Sequence, residues 1–235
     1  MPDYHPVTHV IFDFDGLLID TEPAFTKANE LTLAKYGKQF SMEIKAAQMG
    51  RKLFEAIELL LEMVDLKGTV TPQDYFEDYG KHLEELTASA PSLPGAERLV
   101  RHLAKHNIPV AICTGSNADE YKLKSQIHKS WLDLIPLVVL TGSDPAVKKG
   151  KPAPDGYLET MKRFSVPPAS AKNVLVFEDA PNGVKSALAA GMQCVQVPTS
   201  PDPVFRMGAE IDKQITVLRS LTDVDLTVFG LPALD

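Results

Sequence analysis

Asp13 and Asp15 stand two residues apart at the end of a short apolar run, with Gly16 directly after them. Three more places carry residues of similar chemical weight: Thr114, Gly115, Ser116 and Asn117; Lys151, with Pro152 behind it; and the adjacent acids Glu178 and Asp179. Carboxylates gathered in one cleft repel and raise one another's pKa unless a cation sits among them, and hard oxygen donors favour magnesium or calcium over zinc. Magnesium fits better, because it commonly takes one or two carboxylates and a phosphate while keeping its remaining waters. The hydroxyls and backbone N–H groups of 114–117, at a helix start, suit an anion, and Lys151 adds a point charge. The set reads as a clamp for phosphoryl transfer. Within it Asp13 is the candidate nucleophile, since a carboxylate attacks phosphorus with no proton to lose. Asp15 is the candidate general acid and then base, for the leaving alkoxide and the incoming water.

Such residues must be held by elements that converge. Five runs, 7–12, 109–113, 137–140, 173–177 and 194–197, have the continuous apolar character of strands buried on both faces. Helical spacing separates most of them, as in Ala96, Leu99, Val100 and Leu103, or Val184, Ala187, Leu188 and Gly191. Alternating strands and helices predict an α/β fold, a doubly wound, Rossmann-like parallel sheet with right-handed crossovers. Ligands of such sheets bind beyond the carboxyl ends of the strands. Asp13 and Asp15 follow the first run, 114–117 the second, Asp144 and then Lys151 the third, and Glu178 and Asp179 the fourth.

One interval breaks the alternation. A crossover needs roughly 30 residues, yet the stretch between the first two runs extends from 13 to 108. It has helical periodicity, with Ala28, Leu31, Ala34 and Lys35 in one part and Leu53, Ala56, Ile57, Leu60 and Leu61 in another. The expected organisation is a catalytic core of 1–18 and 93–235 carrying a helical cap domain over 19–92. Thr21, Glu22 and Pro23 read as a helix start, and Ser92 to Gly95 as a turn into the next helix.

Composition limits the function classes. Hydrophobic residues at 44% and charged residues at 23% suit a packed globular chain rather than a disordered one. A net charge of −7, with no Lys/Arg cluster, argues against nucleic acid as a partner. The run 7–12 is far too short to span a membrane and lacks the flanks of a signal peptide, so a cytoplasmic location without membrane attachment is expected. Cys113 and Cys194 each lie in a strand-like run and read as small buried residues, not a disulfide or a metal pair.

In this chain order the four groups resemble the motifs of the haloacid dehalogenase superfamily. The resemblance implies Asp13 as nucleophile and Asp15 as general acid/base. It also implies Thr114, Gly115, Ser116 and Lys151 around the phosphate, and magnesium held among Asp13, Asp15, Glu178 and Asp179. The insert resembles the C1 type of cap, and the stretch 174–184 is specific to that subgroup. More narrowly, Pro6 to His9, the turn of Gln48, Met49, Gly50, Arg51 and Lys52, and the ending around Phe229, Gly230, Leu231 and Pro232 look like the animal pseudouridine-5′-phosphatases. Those enzymes remove the phosphate from pseudouridine 5′-monophosphate. The chain departs from them at Gly115, Ser116 and Asn117, where they carry a serine-rich turn, and at Arg51, where they carry lysine. Arg51 and Lys52 are the cap residues expected to reach the substrate, a small phosphorylated metabolite, and the protein is expected to act as a monomer.

Other readings lead to different residues. A sugar-phosphate phosphatase would share the whole core. A β-phosphoglucomutase-like phosphotransferase would carry a cap histidine where this chain has Phe25, and dehalogenases of the superfamily do without the second aspartate. A non-enzymatic phospholigand-binding module would be expected to lose Asp13 or Asp15, and both are present.

Overall fold

A computed structural model describes residues 4–48, 53–201 and 205–235. The chain divides into two compact units, Met1–Asp20 with Pro91–Asp235, and Thr21–Ala90. The larger unit is built on strands β1 (His9–Phe12), β2 (Val110–Thr114), β3 (Leu137–Leu140), β4 (Val174–Glu178), β5 (Gln193–Gln196) and β6 (Thr216–Val217). They form one sheet in the order β3-β2-β1-β4-β5-β6, every pair parallel. β1, β2 and β4 are buried along their whole length, as their unbroken apolar runs require.

Strand ends differ from expectation where pairing, not hydropathy, decides them. β1 starts at His9 rather than at residue 7, because Val7 donates to the carbonyl of Phe229, outside the sheet. β6 escaped the sequence reading, since two half-buried residues at a sheet edge leave no periodicity to read.

The order of strands reverses between β1 and β4. Their register, Phe12 opposite Phe177, brings residue 13 and residue 178 to the same edge, and Phe12 also lies opposite Ile112 of β2. This is the topological switch point, where an open parallel sheet leaves a crevice. Helices α5 (Ala96–Lys105), α6 (Ala118–Ser125), α7 (Lys129–Leu132), α8 (Asp155–Arg163) and α9 (Pro181–Ala189) connect the strands. Tyr157 of α8 and Val184 and Ala187 of α9 pack with Ile11, Ala111, Val174 and Val176 on one side of the sheet. Cys113 and Cys194 belong to the same cluster as free, buried thiols.

The smaller unit consists of α1 (Glu22–Ala34), α2 (Met42–Gln48), α3 (Leu53–Met63) and α4 (Pro72–Thr87). Its core joins Ala28 and Leu33 to Ile57, Leu60, Leu61, Tyr75 and Tyr79. The buried face of α1 is not the one the apolar spacing marked. Leu31 and Ala34 are exposed, and the inward stripe runs through Ala24, Ala28, Asn29, Thr32 and Leu33. Its two polar members are satisfied there. Thr32 donates to the Ala28 carbonyl at 2.8 Å, and Asn29 accepts from the Tyr75 hydroxyl at 2.8 Å.

Candidate active site

Four elements of the larger unit meet at the switch point. β1 ends at Phe12, and the next backbone N–H, that of Asp13, donates to the Phe177 carbonyl at 3.0 Å, so Asp13 is fixed against β4. Lys151 reaches it from the β3–α8 connection: its Nζ lies 2.5 Å from Asp13 Oδ1 and 2.6 Å from Glu178 Oε1, and it donates to the Cys113 carbonyl at 3.3 Å. Tyr157 donates its hydroxyl to the same Glu178 Oε1 at 2.5 Å. The other carboxylate oxygen of Glu178 accepts the N–H groups of Asp179 and Ala180 at 3.1 and 3.4 Å. Glu178 is therefore held on both oxygens and anchors the start of α9.

The close approach of α9 to that carboxylate depends on Gly183. A methyl group in place of its hydrogen would lie 1.8 Å from Glu178 Oε1. Gly16, at φ +78°, plays a related part on the other side, where an added carbon would sit 2.5 Å from Asp179 Oδ2. Gly183→Ala is expected to push Glu178 away from Lys151 and to lower kcat by about 10²-fold, the cost of a misplacement near 1 Å. Steady-state kinetics beside a thermal melt test this; wild-type kcat in the variant would mean that Glu178 need not sit where it does.

Asp15 lies in a separate network. Its Oδ2 accepts from Ser116 Oγ at 2.7 Å and, more weakly, from Thr114 Oγ1 at 3.4 Å, and its Oδ1 accepts from Lys124 Nζ at 2.8 Å. The turn expected to cradle an anion is largely engaged with itself. Ser116 donates its N–H to Thr114 Oγ1. Asn117 caps α6 by accepting the N–H groups of Asp119 and Glu120, and Glu120 takes the Asn117 N–H in return. Gly115 is exposed in this turn, while Thr114 and Ser116 are buried.

Asp13, Glu178 and Asp179 each bring a ligand atom within 4.8 Å of the others, and all three are buried. Lys151 pairs with two of them, Asp13 and Glu178, and a divalent cation would bring further positive charge to this cluster of three acids. The donor set is all oxygen and fits a hard cation. Asp15, expected among the ligands, does not join this group, because its carboxylate is turned to Ser116 and Lys124. Asp144, read among the strand-end acids, pairs instead with Arg163 of α8, which draws its carboxyl below the usual range. Arg51 and Lys52 lie outside the described residues.

Burial pushes the pKa of Asp13 up to about 7, with Lys151 acting against the rise and Glu178 adding to it. Burial also acts to lower Lys151, but its two carboxylates outweigh that and hold it well above its usual value. The linkage has a definite sign. An unfolded chain sheds the Asp13 proton near 3.8, so between about pH 4 and 7 the native state holds more protons and loses stability as pH rises. Metal-free protein is expected to melt a few degrees higher at pH 5 than at pH 8, and a divalent cation should narrow the gap. Melting curves that ignore both pH and added cation would contradict a raised Asp13 carboxyl and a cation site among these acids.

A second histidine and carboxylate grouping, His102, His106 and Asp235, occurs on the far end of α5. Lys105 holds Asp235 Oδ2 at 2.5 Å, and Arg98 and Arg101 line the same hollow. That cationic setting disfavours a dication. Two residues of the main site were not anticipated: Lys124, and Tyr157, which sequence alone marks only as an aromatic on an inward helix face.

The model of the haloacid dehalogenase-like hydrolases matches residues 7–191. The chain is 42% identical over 226 residues to the (DL)-glycerol-3-phosphatase 2 of Arabidopsis thaliana, covering 96% of this chain and 92% of that one. It is also 42% identical over 228 residues to a probable pseudouridine-5′-phosphatase of Drosophila melanogaster, covering 97% and 95%. Among solved structures, CbbY from Rhodobacter sphaeroides in complex with phosphate superposes with a TM-score of 0.73 at 21% identity, covering 96% of this chain and all of that one, and so shares the fold.

Proposed function

The chain belongs to the haloacid dehalogenase-like hydrolases, and from that premise we propose that it is a magnesium-dependent phosphomonoester hydrolase working through an aspartyl-phosphate on Asp13. The observation that carries the reading is the placement of Asp13, buried at the switch point between Lys151 and two further acids. An oxygen of Asp13 attacks phosphorus, the bond to the ester oxygen breaks, and the leaving oxygen keeps the electron pair of that bond and takes a proton from Asp15. Water then attacks the phosphorus, giving its proton to Asp15 as the bond to Asp13 breaks. Magnesium would be held by Asp13 and Asp179 beside the anchored Glu178, and when bound it would neutralise charge on the phosphoryl oxygens. Lys151 keeps Asp13 and Glu178 in place, and the 114–117 turn and Lys151 together face the phosphate.

Pseudouridine 5′-monophosphate is the proposed substrate, on the sequence likeness of residues 48–52 and 226–232 to the pseudouridine-5′-phosphatases and on the Drosophila relative. Glycerol 3-phosphate is a second reading, favoured by the Arabidopsis relative at the same 42% identity. The test is phosphate release with magnesium from pseudouridine 5′-monophosphate, glycerol 3-phosphate and hexose phosphates. A kcat/KM at least about 10-fold higher on the first is expected, a difference of roughly 1.4 kcal/mol in transition-state binding. Preference for glycerol 3-phosphate would replace the substrate, and no release from any ester would overturn the phosphatase reading.

A further inference from the structure

We propose that Lys124 is a positioning residue for Asp15, the proposed acid and base; the role rests on the phosphatase reading above. α6 is a polar helix: Asp119, Glu120 and Lys122 are all exposed, and Lys124 is the charged side chain it turns inward, at 5% exposure. Desolvating an ammonium costs several kcal/mol, and a buried ion pair seldom returns more than that, so stability alone does not account for it. What Lys124 does is geometric. Its Nζ donates to Asp15 Oδ1 at 2.8 Å and to Ser116 Oγ at 3.0 Å, while Ser116 Oγ donates to Asp15 Oδ2 at 2.7 Å. The three groups close a ring that constrains both oxygens of the carboxylate and hence its plane.

The ring is tied to rigid parts. Asn117 and Glu120 form a reciprocal cap at the start of α6, which couples the 114–117 turn to the helix carrying Lys124 two turns further on. The site thus uses two lysines separately: half-buried Lys151 serves Asp13 and Glu178, and buried Lys124 serves Asp15. Asp15 must present an oxygen first to the leaving group and then to water, and general acid–base catalysis of this kind is worth about 10²–10⁴-fold. A carboxylate free to rotate would forfeit part of that in both half-reactions, without change in phosphate binding.

Lys124→Met tests the role on two esters, a natural alkyl phosphate and p-nitrophenyl phosphate, whose leaving group departs without protonation. With the alkyl ester, kcat is expected to fall about 10–10²-fold with KM and the magnesium requirement unchanged. With p-nitrophenyl phosphate, the first half-reaction should survive and the second slow, so that a burst of one nitrophenol per chain precedes a slow steady state. A merely structural lysine would lower both esters alike and produce no burst, and that result would overturn the role, as would wild-type kcat on both. Ser116→Ala, which opens the ring but leaves Lys124 paired with Asp15, should show a weaker form of the same burst and covers a Lys124→Met chain that fails to fold; no burst from a folded Ser116→Ala would overturn the role. A wild-type chain silent on every ester would bring down the phosphatase reading and this role with it. An active wild type with an inactive Asp15→Asn variant and a fully active Lys124→Met would remove Lys124 alone.

Discussion

Asp13→Asn is expected to lose turnover by about 10⁶-fold, the order of loss when a covalent nucleophile is removed from an intact site. The fold should survive, because asparagine keeps the shape of the side chain and its backbone N–H still pairs with the Phe177 carbonyl. Stability should in fact rise in metal-free protein above neutral pH. Burial lifts the wild-type carboxyl to about 7, which means that its ionised form is the costly one in the fold, and the amide never ionises. Lys151 then keeps Glu178 as its remaining partner at 2.6 Å. The check is kcat and Tm on the same preparation at pH 8. More than about a tenth of wild-type turnover would mean that water attacks phosphorus directly, and a lower Tm would mean that Asp13 is stabilised by contacts that its burial outweighs only in appearance.

The parts of this site that could be read in the sequence are those fixed by chain direction. Once 7–12 and 173–177 read as buried parallel strands, Asp13 and Glu178 had to emerge at the same edge of the sheet, and the Phe12–Phe177 register places them there. What escaped depends on contacts across the fold. Lys124 sits on a helix without an apolar stripe, so nothing in its spacing separates it from exposed Lys122. Tyr157 has the periodicity of a core residue, which it is, but its hydroxyl meets Glu178 only because α8, packed on β2 and β3, brings it to the end of β4. Leu31 was drawn into the wrong face of α1 because the true inward stripe includes Asn29 and Thr32, whose polarity hides it from a hydropathy pattern. Asp144 had the right position after β3 and the wrong partner, Arg163.

Lys151→Met is expected to damage the protein as well as the reaction. Among the described residues its ammonium is the one cation bonded to two buried carboxylates, and methionine replaces it with an apolar chain of similar length. Breaking a buried pair on one side typically costs about 3–5 kcal/mol, because a charge is left without compensation. In a chain of 235 residues that is a fall in Tm of roughly 10 °C. The loss should be largest without a divalent cation, which would otherwise take over part of the charge. Glu178→Gln in the same chain separates the causes: the amide oxygen can still accept from the Asp179 and Ala180 N–H groups while its NH2 donates to the Tyr157 hydroxyl oxygen, and it carries no charge to strand. The double variant should therefore regain much of the lost Tm while remaining inactive, since neither change restores the ammonium beside Asp13. A single Lys151→Met variant as stable as wild type would mean that Asp13 and Glu178 are relieved by protonation alone. A double variant no more stable than the single would shift the burden from Glu178 to Asp13, the carboxylate that burial already drives towards its neutral form.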